Sequence, residues 1–126
     1  MRRKLLFSLF ALGLFILLTA CGQRGFDGTR VANPDSYHLD IEQMNGTDMH
    51  TMELNAGDVL DIHFEIVYGK LNMEIIAPDG SLIYTGNGEE ATDFIVNISM
   101  SGEYSVRVEA HNAKGKMYIQ RAATAQ

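Results

Sequence analysis

From Tyr37 to Arg121 the apolar residues return at every second position, a period that suits extended chain and little else. Successive side chains of a strand point to opposite sides, so apolar–polar alternation buries one face and wets the other. The clearest case is the stretch 59–68. There Leu60, Ile62, Phe64, Ile66 and Tyr68 are read as one face, and Asp61, His63 and Glu65 as the other. A sheet with one face in water is the mark of antiparallel pairing.

The same reading divides the rest of the domain. Tyr37, Leu39 and Ile41 form a first strand, closed by Asn45-Gly46, two residues that tolerate positive φ. Met52 and Leu54 lie on a second strand, and Asn55-Ala56-Gly57-Asp58 turns the chain into the third. Gly69-Lys70 is a tight connection to Leu71–Ala77, and Pro78-Asp79-Gly80-Ser81 leads to a returning strand from Leu82 to Thr85. After the polar stretch Gly86–Glu90, Phe94, Val96 and Ile98 alternate, then Tyr104, Val106, Val108 and Ala110. A last loop, His111–Gly115, precedes a final strand from Lys116 to Arg121, and 122–126 reads as a frayed tail.

About eight short strands with no helix after residue 21 cannot bury their apolar faces in one flat sheet. The expectation is an all-β domain over 37–121, an antiparallel β-sandwich of jelly-roll type. Asn72–Ser81 and the run Gly102-Glu103-Tyr104-Ser105-Val106-Arg107-Val108 resemble the hairpin and strand motifs of bacterial pre-peptidase C-terminal-like domains. Those are small secreted jelly-roll sandwiches, so the resemblance implies the same fold.

The first 21 residues follow a different logic. Arg2-Arg3-Lys4 is a short cationic start, and Leu5–Leu18 is an apolar run suited to a signal sequence and short for a bilayer span. Leu18-Thr19-Ala20-Cys21 resembles the lipobox of bacterial lipoproteins. That resemblance implies removal of residues 1–20 and a diacylglyceryl group on Cys21, which becomes the mature N-terminus. Two acyl chains at one residue hold a protein stably on a bilayer, where one does so marginally. The positive end stays cytoplasmic, so the domain faces the extracytoplasmic side of the cell membrane. Gly22 after Cys21 carries no cue for inner-membrane retention. Residues 22–36, with three glycines before Thr29 and no apolar period, read as a flexible tether of roughly 20 Å. Phe26 or Val31 is the point where it would pack on the domain as an edge segment.

Composition bears on function chiefly by exclusion. Of 10 Lys and Arg, three belong to the export signal, leaving 7 against 16 Asp and Glu, or −9 for the mature domain. Such a balance excludes a phosphate-binding face for nucleic acid and any attachment to anionic lipid by surface charge. Cys21 is the only cysteine, so its acylation leaves the domain without disulfide, thiolate metal site or cysteine nucleophile.

No motif of catalysis is present: no G-x-S-x-G, no H-E-x-x-H, no P-loop, and Ser81, Ser99 and Ser101 fall in turns. Met49, His50 and Met52, with Met44 nearby, are soft donors of the kind that suits Cu(I). Asn87, Glu89, Glu90 and Asp93 concentrate oxygen ligands suited to Ca²⁺. His63 between Asp61 and Glu65 is a further small-cation candidate. Tyr68, Tyr84 and Tyr118 are the candidate platforms for carbohydrate, with at least two of the three expected in the core. Each of these sets has a plain structural account, as core, turn or solvated face. The expectation is therefore a non-enzymatic, membrane-anchored module that takes no cofactor and contacts an envelope protein or glycan. Binding of carbohydrate, copper or calcium is the alternative.

Overall fold

The computed structural model describes residues 25–89 and 92–122. Six antiparallel strands account for most of them: β1 (Phe26–Asn33), β2 (Ser36–Leu54), β3 (Val59–Ile76), β4 (Leu82–Gly86), β5 (Asp93–Asn97) and β6 (Gly102–Ala122). The proposed signal segment and lipobox, residues 1–21, lie outside the described residues.

Eight expected strands become six for a definite reason. β2, β3 and β6 are each two expected strands run together, and the intervening "loops" are bulged bends within continuous strands. The pairing shifts register between Ile41 and Gly46, between Ile66 and Lys70, and opposite them around His111–Gly115. The bends sit level with one another, since Met44 pairs with Ala113 and Tyr68 with Lys114. One crease therefore crosses all three long strands, and the sheet folds over along it.

The crease also explains the burial pattern. Before it, β2 buries Tyr37, Leu39 and Ile41; after it, Met44, Met52 and Leu54. β3 switches from Leu60, Ile62 and Phe64 to Leu71, Met73 and Ile75, and β6 from Tyr104, Val106 and Val108 to Ala113, Met117 and Ile119. In every case the parity changes. A single inserted residue flips all later side chains to the other face, so each bulge keeps the apolar set inward as the strand doubles back. All these side chains form one core cluster.

Tracing the pairs gives the architecture. One layer runs β1, first half of β2, second half of β6, first half of β3, β5; the other runs second half of β2, first half of β6, second half of β3, β4. This is the two-layer jelly roll expected from the alternation. The turns at 55–58 and 77–81 fall where the sequence places them, the latter held by Gly80 N–H donating to Ala77 O and Ala77 N–H to Ser81 O.

β1 corrects the expected tether. Residues 26–33, read as flexible spacer, pair with 36–44 as the edge strand of the first layer, and Asn45 N–H donates to Gly25 O at 2.7 Å. Its side chains are exposed apart from half-buried Ala32, so it is held by backbone hydrogen bonds that carry no apolar signature. The described domain thus reaches back at least to residue 25, about a dozen residues before the expected boundary at Tyr37.

Candidate functional site

The interior offers no chemistry. Among the described residues its buried members are apolar or tyrosine, with Ser36 the one buried polar side chain. Functional groups must be sought on the outer faces and edges, where the alternation places the polar phase.

On the outer face of the first layer, strand register assembles a row that no local motif announces. His38, Tyr118, His63 and Asp93 stand opposite one another on β2, β6, β3 and β5. His38 stacks on Tyr118 with ring centres 4.9 Å apart, and His63 lies tilted on the other side at 6.1 Å. His63 Nδ1 is 2.8 Å from Asp93 Oδ1, and its Nε2 is 3.7 Å from Glu65. Gln120, Asp61 and Ile95 form the next row, and the two rows enclose a shallow depression of about 620 Å³. Ile95, 57% exposed, stands at one side. His38 Nε2 is buried with no hydrogen-bond partner among the described residues.

A second cluster closes the open edge between the layers. Arg30 on β1 reaches across to β2, where its Nε donates to Asp48 Oδ2 at 2.8 Å and its Nη2 to Met49 O at 3.3 Å. The Tyr37 hydroxyl donates to the same Asp48 oxygen, and the Arg30 guanidinium lies over the Tyr37 ring. His50 Nε2 is 2.7 Å from Asn33 O, its ring 5.0 Å from that of Tyr37. Burial, then the bond to Asp48, pushes the Tyr37 phenol well above its ordinary value, while Arg30 acts the other way. The carboxylate likewise raises the Arg30 guanidinium against the smaller effect of burial.

The Tyr37 shift has a signed consequence. Unfolded, the phenol ionises near 10.0; folded, it keeps its proton well above that. Stability is therefore fully present below that pH and falls above it, by up to about 1.4 kcal/mol per pH unit. Denaturant midpoints on either side of pH ~10 should show this alkaline loss in the parent, and Tyr37→Phe should flatten it. Equal alkaline slopes in the two proteins would contradict the assignment.

The ligand sets read from sequence are not brought together. Met52 and Met44 are core, Met49 is on the opposite face from Met52, and His50 is engaged with Asn33. Period 2 is the reason: residues 50 and 52 share the inward face of their strand, and 49 does not. Asn87 and Glu89 bond to each other, at 2.6 Å and 3.1 Å, whereas Asp93 turns to His63. Glu90 lies outside the described residues. Among the described residues no three His, Cys, Asp or Glu side chains form a metal-holding group.

The tyrosines do not share a face either. Tyr84 stacks on Phe94 at 4.9 Å against the core, Tyr118 carries His38 on its ring, and Tyr68 stands at the crease, half exposed. So one of the three packs on the core, not two. The bulge at 66–68 takes Tyr68 out of phase with Phe64. Sequence reasoning also missed Tyr118 with His38 as a pair, and the Arg30–Asp48–Tyr37 clamp. The first joins strands far apart in the chain, and only the polar phase of the alternation hinted at it; the second joins the consecutive strands β1 and β2, of which β1 carries no apolar signature.

No family model and no curated protein matches the chain. Solved structures do resemble it. The periplasmic inhibitor of g-type lysozyme, PliG, of Aeromonas hydrophila has a TM-score of 0.51 at 16% identity, over 71% of this chain and 89% of that one. A cupin domain of Bordetella pertussis reaches 0.39 at 12% identity, over 79% and 95%. A structure of accessory secretory proteins 1, 2 and 3 of Streptococcus pneumoniae reaches 0.35 at 14%, over 80% and 88%. At these identities the likeness to the Aeromonas protein is one of fold, and the chain shares with it an all-β, antiparallel architecture.

Proposed function

We propose that this chain is an extracytoplasmic, lipid-anchored lipoprotein whose jelly roll acts by binding, and that its partner is a protein docking on the outer face of the first layer. The observation that carries the binding face is the His38–Tyr118–His63–Asp93 row with Ile95 beside it. It is an aromatic-centred, apolar-edged depression on rigid strands, the composition that concentrates binding energy at protein interfaces. Asp61, Asp93 and Glu65 give it an acidic rim, so the fitting partner presents basic residues around an apolar centre. The anchor rests on residues 1–21, and the fold shared with a periplasmic inhibitor supports the same location and mode of action.

The test runs in intact cells. A photo-crosslinking residue at position 95 should capture a partner that the same residue at position 82, similarly exposed on the other layer, does not. Asp61→Lys should weaken that adduct about tenfold, the loss of one well-placed charge pair. A g-type lysozyme, the target of the Aeromonas protein, is the first purified bait. Cys21→Ser should move the protein out of the membrane fraction and remove the lipid mass. Equal capture from 95 and 82 overturns the face; unchanged retention and mass overturn the anchor.

A further inference from the structure

The pairing of β1 brings the folded chain close to Cys21. Only Gly22, Gln23 and Arg24 stand between Cys21 and Gly25, which is held at the crease. Four peptide steps span at most about 14 Å. A lipidated Cys21 sits at headgroup level, so the crease end of the jelly roll cannot stand clear of the bilayer surface. A tether of fifteen residues would have allowed any orientation; this one allows few.

The crease end is suited to that position. A chain of contacts runs across it from the attachment point: Gly25 O to Asn45 N–H, Asn45 Nδ2 to Asn112 Oδ1 at 3.0 Å, and Asn112 O against Gly69. Along this line stand Phe26 at 37% exposed, Val67 at 63% and Tyr68 at 51%. Three strand spacings separate the first from the last, about 14 Å. Lys70 and His111 pair across the same bend, and Lys114 stands opposite Tyr68. Facing charges are Glu42, 3.4 Å from Lys114, Glu109, 4.0 Å from His111, and Glu89, which borders the same hollow as Lys70. In a mature domain of −9 this end is mixed in sign, and so less repelled by a lipid surface than the acidic remainder.

Given the anchorage proposed above, on which this inference rests, we infer that the crease end is a membrane-seating surface. Phe26, Val67 and Tyr68 enter the headgroup–acyl boundary of the bilayer carrying the Cys21 lipid, as aromatic and apolar side chains do at membrane interfaces. Lys70 reaches the phosphates with its stem along the apolar patch. The acidic binding face of the first layer then stands roughly upright beside the membrane, open to a partner.

The chain has no Trp, so one introduced residue reports alone. Lipidated Tyr68→Trp protein is reconstituted in phosphatidylcholine vesicles containing brominated lipid, with Leu82→Trp, at the far end of the domain, as comparison. The reporter at position 68 should shift to the blue and lose about half its emission, and that at 82 should do neither. Protein that floats with the vesicles and carries lipid by mass, yet shows no quenching at 68, overturns the seating and leaves the anchor standing. Protein from cells with no lipid on Cys21 overturns both.

Discussion

Phe64→Ala is expected to destabilise the domain by about 3–5 kcal/mol. Phe64 is fully buried at the centre of the core cluster, with Gly88 backing onto its ring. Removing the ring takes away its transfer free energy and leaves a void that a closed two-layer sandwich cannot collapse to fill. For a domain whose total stability is of order 5–15 kcal/mol, that is a third or more of the whole. Each kcal/mol shifts the melting temperature by about 4–8 °C at this size, so a fall of more than about 10 °C should be seen. Ile95→Ala, which trims an exposed side chain of the outer face, should stay within about 0.5 kcal/mol. Denaturant titration of both variants decides the matter. Similar losses at 64 and 95 would mean that inside and outside have been exchanged.

Gly69→Ala should cost about 3 kcal/mol, although it adds a single methyl group to the surface bend. Gly69 has φ +82°, where an L-residue is strained, and a Cβ there would sit 2.1 Å from Asn112 O and 2.6 Å from its carbonyl carbon. Those are backbone atoms of the neighbouring bend and cannot swing aside. Gly80 separates the two causes: its φ is +86°, but a Cβ there meets nothing within 4 Å. Gly80→Ala should therefore cost only the conformational part, about 1–2 kcal/mol. The difference between the two midpoints measures the close approach of β3 and β6 at the crease. Equal costs would show that the bends touch less tightly than described.

These two sites also mark the limit of what the chain discloses by itself. Phe64 is legible because alternation over 59–66 names its face directly, and the same reasoning correctly placed Tyr37, Leu39, Met52 and Tyr104 inside. Asn45-Gly46 and Gly69-Lys70 are not legible in the same way. A change of phase flanked by turn residues looks identical whether the strands on either side pair with each other or with a third. Here both β2 and β3 pair along their length with β6, whose residues follow tens of positions later. β1 was hidden for another reason, since an edge strand with little burial leaves only backbone hydrogen bonds to define it. The outer-face row combines the two difficulties. Its residues were visible as polar-phase positions, His63 among them, but Tyr118 meets His38 and His63 only through a register that tertiary pairing sets.

β6 carries a consequence for the order of events during folding. Residues 102–122 form the inner strand between β2 and β3 in both layers, yet they are the last described stretch of the chain. Until they arrive, the earlier segments can close only the local pairings of β1 with β2 and of β3 with β4 and β5. Such isolated pairings are marginal in water, and non-local closure is slow. A chain made from its N-terminus thus has neither layer complete until β6 is delivered.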